Sequence, residues 1–167
     1  MKIRVPENFL IKDSIVDGPG FRTVIFTQGC CHKCKGCHNP NTWSFKDGKD
    51  IDILEVQNKL EECDSIISKG LTISGGEPFL QARPLRELVR YYKNNIGKSV
   101  WIFSGFTFEE IKRNPEMFAL LKEVDVLVDG KFIEEQKSLS LKFKGSQNQR
   151  IIDVQKSLDT FKVIQIG

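Results

Sequence analysis

The chain has 167 residues, 40% of them hydrophobic and 28% charged, with a formal net charge of +3. These values fit one globular domain spanning residues 1–167 and exclude a disordered chain, a collagen and a coiled-coil rod. No run approaches the ~18 apolar residues of a membrane span, Met1–Leu10 lacks the apolar stretch of a signal peptide, and so weak a surplus does not argue for nucleic acid, so a cytoplasmic protein with neither membrane nor nucleic-acid partners is expected.

Arg22–Thr27 (RTVIFT), β-branched and aromatic between Gly20 and Gly29, predicts a buried strand running straight into a cysteine-rich loop. Asp52 and Glu55 have the spacing of a capping box for a helix from about Asp52 to Ser68, stopped by Lys69-Gly70. Its apolar stripe (Ile53, Val56, Leu60, Cys63, Ile67) makes Cys63 a buried core thiol. Leu71–Ser74 is a short strand ending in Gly75-Gly76-Glu77-Pro78. A second helix starts near Pro84 with Leu85, Leu88, Val89 and Tyr92 on one face, and Gly97 follows it. Ser99–Phe103 is the next strand. Thr107 and Glu110 suit the cap of a third helix, which Pro115 interrupts before Met117–Lys122. Val124–Val128 is a strand ending in Asp129-Gly130, and further strands are expected near Arg150–Asp153 and Lys162–Ile166.

Strands alternating with helices imply a mainly parallel sheet in an α/β fold. The cysteine loop, Gly75–Pro78, Ser104-Gly105 and Asp129-Gly130 all follow the C-terminal end of a strand, the edge where parallel folds bind ligands. A complete eight-fold barrel usually needs ~250 residues, so this length allows a partial, open barrel whose open side suits a macromolecular substrate.

Four of the five cysteines fall within eight positions: Cys30, Cys31, Cys34 and Cys37. Crowding in an odd-numbered set without a secretory signal points to a metal or redox chemistry rather than to disulfides. Two metal readings fit the loop taken alone. Tetrahedral zinc would use Cys34 and Cys37 with Cys30 or Cys31 and a histidine, although no second, distant ligand pair exists in the chain. Cys30, Cys34 and Cys37 would instead hold a 4Fe–4S cubane and leave one iron open, whereas an electron-transfer ferredoxin supplies four ligands. In Gly75-Gly76-Glu77-Pro78, two glycines let backbone approach a ligand closely. Peptide groups and the Glu77 carboxylate there could receive an α-amino group.

Cys30-x₃-Cys34-x₂-Cys37 after one strand and Gly75-Gly76-Glu77-Pro78 after the next resemble the radical S-adenosylmethionine superfamily. Ile15–Arg22 (IVDGPGFR), Gly29–Trp43, Leu71–Pro78, Trp101–Phe106, Val124–Phe132 (VDVLVDGKF) and Gly145–Asp153 (GSQNQRIID) resemble, more closely, its family of anaerobic ribonucleoside-triphosphate reductase activases. The resemblance implies a radical S-adenosylmethionine oxidoreductase with a partial β/α barrel. Cys30, Cys34 and Cys37 would ligate one 4Fe–4S cluster per chain, and S-adenosylmethionine would chelate the open iron. Gly36, Cys37 and His38 would flank its adenosyl part, and Gly76 and Glu77 would meet its methionine part. Reductive cleavage would give a 5′-deoxyadenosyl radical that leaves a glycyl radical on the large subunit of the reductase, with a flavodoxin-like electron donor. Two alternatives are an activase of another glycyl-radical enzyme and a zinc-binding interaction module.

Other residues carry paired expectations. Cys31 is a spectator or an oxidation-prone thiol. His38 stands where the family often has an aromatic residue, and its imidazole can still stack on adenine. His32 is expected to face solvent, and Trp43 to pack beneath the cysteine loop rather than touch substrate. Asp17 belongs to a turn or to the site. Asp129 and Lys131 pair with each other or cap an element. Residues 1–130 carry 18 basic and 18 acidic side chains, so the positive surplus lies in the last 37 residues, as a solvated face or a docking patch for an acidic partner.

Overall fold

The computed structural model describes residues 1–166. Two strands open the chain, β1 (Lys2–Val5) and β2 (Leu10–Ser14), followed by β3 (Phe21–Thr27) and the cysteine loop. Next come β4 (Lys49–Asp52), α1 (Ile53–Cys63), β5 (Ser68–Gly75), α2 (Ala82–Asn95) and β6 (Ser99–Phe103). The last part holds α3 (Phe108–Lys112), α4 (Pro115–Leu121), β7 (Val126–Asp129), β8 (Arg150–Asp153) and α5 (Val154–Thr160). A small antiparallel sheet pairs β1 with β4. The main sheet has the order β2-β3-β5-β6-β7-β8; its four inner strands are parallel and its two edge strands antiparallel.

The inner strands stand in sequence order with no reversal, so right-handed crossovers carry every connecting helix to the same face. Strand alternation sorts the side chains accordingly. Ile25, Leu71, Ile73, Val100, Ile102 and Leu127 join the core beneath the helices, while Trp101, Val126, Val128 and Ile151 form a smaller cluster on the opposite face. In α2, Leu85, Leu88, Val89 and Tyr92 are at most 2% exposed. Each such side chain contributes about 1.5–3 kcal/mol by burial, which outweighs surface pairs such as Arg83–Glu116 at 3.6 Å.

Ser99–Phe103 and Arg150–Asp153 form strands with the expected bounds. Thr107 makes a full capping box with Glu110: its hydroxyl accepts from the Glu110 N–H at 3.2 Å, and its own N–H donates to Glu110 Oε2 at 3.4 Å. Thr107→Ala is expected to destabilise the protein by about 1 kcal/mol, read as a lower urea midpoint with an unchanged slope.

Several expectations need correction. The helix expected to reach Ser68 ends at Cys63, because Ser68 is already paired with Phe21 in the sheet. Lys98 holds the intervening turn, donating to Asp64 Oδ1 at 2.6 Å and Ser65 O at 2.8 Å. Cys63 is therefore half-buried at the helix end rather than a core thiol, and Ile67 is 50% exposed. The Asp52 carboxylate caps α1 through Leu54 N–H at 2.9 Å. The strand expected at Lys162–Ile166 is a single bridge, Ile152 to Gln165, because α5 occupies the chain before it. No helix among the described residues is long and apolar enough to cross a membrane.

Candidate iron–sulfur site

The cysteine loop leaves β3 at Thr27 and is fastened at its base by backbone hydrogen bonds and by the Gln28 side-chain amide, which donates to Asn41 O at 3.0 Å and Ser44 O at 2.8 Å. Gly29 N–H donates to Thr42 O at 2.7 Å, Cys30 N–H to Trp43 O at 3.1 Å, and Glu77 N–H to Gly29 O at 2.8 Å. Gly76 lies so close to this base that a Cβ on it would stand 2.3 Å from the Gly29 carbonyl oxygen and 2.9 Å from that of Thr42. The glycine pair thus serves the packing of two loops on each other. Gly76→Ala must push the cysteine loop off β5 and is expected to cost about 1–3 kcal/mol of stability. Iron content per chain should fall in the same variant.

A cavity of about 120 Å³ opens above this junction. Its walls include Cys30, Cys34 and Cys37 on one side, Gly75 and Gly76 at the end of β5, Ser104 and Gly105 after β6, and Gly130, Phe132 and Gln149 opposite. Of the candidate residues, the three cysteines and Gly76 line it. His38 packs on the cavity residue Phe132, ring centres 5.4 Å apart, and Gly36 lies against Glu134. Cys31 is exposed and Cys63 sits on α1, so neither joins the trio. Trp43 lines the cavity as well as anchoring Cys30.

The donor set suits thiolate ligands. Burial pushes the Cys30 thiol up, while backbone N–H groups of His32 and Lys33 aimed at its sulfur act in the opposite direction. Asn39 N–H donates to Cys37 Sγ at 3.4 Å. Such N–H contacts favour the ligating, deprotonated form and tune a cluster's potential. Among the described residues no three His, Cys, Asp or Glu side chains close on a single ion.

Glu77 lies behind the cavity wall, fully buried. Its Oε1 accepts from His32 Nε2 at 2.8 Å, Ser104 Oγ at 2.7 Å and Gly105 N–H at 2.8 Å; its Oε2 accepts from Phe79 N–H at 2.9 Å. His32, expected to face solvent, is a correction: its side chain is only 6% exposed because Glu77 holds it. Nothing in its sequence neighbourhood signals this, since the partner lies 45 residues away.

The far wall is knitted by the GSQNQR segment. Gln149 Oε1 accepts from Gly145 and Ser146 N–H, its Nε2 donates to Gly130 O at 2.9 Å, and Asn148 Nδ2 donates to Lys131 O at 2.8 Å. Asp129 caps α3 through Phe108 N–H at 2.7 Å and pairs with Arg150 at 2.6 Å, rather than with Lys131. Arg150 also holds Glu109 at 2.7 Å, and this pairing keeps the Glu109 carboxyl below its ordinary range. Asp17 belongs to a turn, accepting from Ser14 Oγ at 2.6 Å, and its carbonyl accepts from Thr72 Oγ1 at 2.8 Å.

Residues 16–152 match the family model of the 4Fe-4S single cluster domain. The chain is 40% identical over 143 residues to the anaerobic ribonucleoside-triphosphate reductase-activating protein of Vibrio cholerae, covering 82% of this chain and 90% of that protein. It is 39% identical to the protein of the same name from Haemophilus influenzae, over 82% of this chain and 90% of the relative. Against that of Enterobacteria phage T4 the identity is 39%, over 81% and 86%.

Proposed function

The chain belongs to the 4Fe-4S single cluster domain family and to the anaerobic ribonucleoside-triphosphate reductase-activating proteins, and from that premise we propose that it installs a glycyl radical on the large subunit of such a reductase. One observation carries the reading: Cys30, Cys34 and Cys37, with Cys31 turned away, meet Gly75 and Gly76 around one cavity at the C-terminal ends of parallel strands. Residues 1–167 act as one partial β/α barrel of the radical S-adenosylmethionine type, a proposal supported by the sequential strand order and one-sided helices.

Cys30, Cys34 and Cys37 would hold the 4Fe–4S cluster, and Gly36, Cys37, His38 and Gly76 would form the S-adenosylmethionine site, to which Glu77, its carboxylate bonded inside the protein, would contribute through the backbone of its turn. When bound and reduced, these groups would supply the 5′-deoxyadenosyl radical chemistry, in which a hydrogen atom passes from the target glycine to 5′-deoxyadenosine. The protein's task is to orient them and exclude competitors. Gly76 keeps the cysteine loop against β5, and Glu77 fixes the backbone of its own turn through Phe79 N–H. Phe132 and Gln149 close the opposite wall, where the GSQNQR segment fixes the Gly130–Lys131 backbone. The chain works in the cytoplasm, with a flavodoxin-like one-electron donor and neither nucleic acid nor membrane as partner.

The test is electron paramagnetic resonance on an anaerobic mixture of this protein, reductant, S-adenosylmethionine and the large reductase subunit. A glycyl-radical doublet that depends on this protein is the expected result. Protein that holds zinc and cleaves no S-adenosylmethionine would overturn the reading.

A further inference from the structure

We propose that His32 is a positioning residue, a latch that holds the span between Cys30 and Cys34 in ligating shape by bonding to buried Glu77. The proposal rests on reading those cysteines as cluster ligands. Among the described residues, the loop is bound by backbone at its base and again where Cys37 N–H meets Cys34 O at 3.1 Å. Between these points lie residues 31–36, and His32 is the side chain there that reaches the buried interior. Among the described residues, the other side-chain tie from this span to the rest of the protein is the surface pair of Lys35 with Glu134 at 3.9 Å, which is too exposed to hold a loop.

Three further features fit a latch. The His32 ring stands edge-on to Phe106, with centres 4.5 Å apart. It lies where a side chain on residue 105 would be, 2.3 Å from the Cβ that Gly105 lacks. The next residue, Lys33, has left-handed backbone (φ 49°), which a lysine keeps only where its surroundings impose it. The same Glu77 oxygen takes Ser104 Oγ and Gly105 N–H. One carboxylate therefore joins the loops that follow β3, β5 and β6, and His32 is the cysteine loop's side-chain share of that joint. A loop so held meets its cluster without first being ordered, as ligands fixed by an outer shell do.

The test compares the wild-type full chain with His32→Leu, which removes the donor, and His32→Gln, whose amide restores one. His32→Asn, with a shorter reach, replaces the leucine variant if that one does not fold. Amide hydrogen exchange of residues 31–36 is measured on cluster-free protein, and the rate at which a ferrous chelator strips iron on reconstituted protein. The leucine variant is expected to exchange and to lose iron about tenfold faster or more, the loss matching one hydrogen bond to a charged group. The glutamine variant should return toward wild type, a rescue that plain packing of the ring would not give. Equal exchange and stripping in leucine variant and wild type would overturn the latch. Should wild type take up no iron, the cluster reading fails, while the exchange comparison still decides the latch.

Discussion

Cys34→Ala is expected to abolish iron–sulfur loading and, with it, cleavage of S-adenosylmethionine, whereas Cys63→Ala leaves both at the wild-type level. Cys34 lies in the middle of the trio and lines the cavity together with Cys30 and Cys37. On the proposed ligation an alanine leaves two of the three thiols, and among the described residues no neighbouring cysteine lines the cavity to replace the missing one. Cys31 is the nearest in sequence, but it is exposed and outside the cavity wall. Cys63 is half-buried on α1, on the helical side of the sheet. It lines no part of the cavity that holds the trio. Cys31→Ala should behave like the Cys63 variant. Iron and sulfide per chain, with 5′-deoxyadenosine measured by chromatography under anaerobic conditions, decide the matter. Full cleavage by Cys34→Ala would overturn the ligand assignment.

The parts of this protein that were legible in the sequence are those whose signals are local. The strand Ser99–Phe103, the Thr107–Glu110 box and the break at Pro115 each follow from a few adjacent residues, and the structure has them. The cysteine spacing and the Gly75-Gly76 turn were legible as motifs, and the sheet brings them to one cavity. What escaped depends on partners distant in the chain. The helix carrying Cys63 stops early because Phe21 claims Ser68 and Lys98 claims Asp64. The strands β1 and β4 are four residues each and find each other across more than forty positions. His32 was legible only as a polar residue among polar neighbours, and Glu77 as a carboxylate available to a ligand. In the fold the two use each other, and Glu77 has all four of its hydrogen bonds inside the protein.

Arg22 gives the second large effect, and it separates stability from chemistry. This side chain is 1% exposed, and among the described residues no carboxylate pairs with it. Its acceptors are neutral: Thr72 Oγ1 at 2.9 Å, Ser99 Oγ at 3.0 Å, Leu71 O at 2.9 Å and Ser99 O at 3.0 Å, with the Trp101 ring 5.7 Å away. Burial lowers its pKa from 12.5 to about 10, so it stays charged at neutral pH. The sign follows: both folded and unfolded chains hold this proton below pH 10, so its contribution to stability is flat there, and its desolvation cost is relieved only as pH rises past about 10. Arg22→Lys keeps the charge but loses the planar fork that reaches two strands at once, and is expected to destabilise by about 2–3 kcal/mol. Arg22→Ala adds a cavity and removes all four of these hydrogen bonds, for about 3–5 kcal/mol, a large fraction of a domain's 5–15 kcal/mol. Yet Arg22 stands five residues before the end of β3 at Thr27, about 16 Å at 3.3 Å per residue, toward the strand ends opposite the cavity. Conservation of function per folded molecule is therefore the expected accompaniment: a lower urea midpoint by circular dichroism, with iron per folded chain unchanged. A lysine variant of wild-type stability would show that the fork does not bind the strands, and one that folds but loads no iron would show that the two ends of the sheet are coupled.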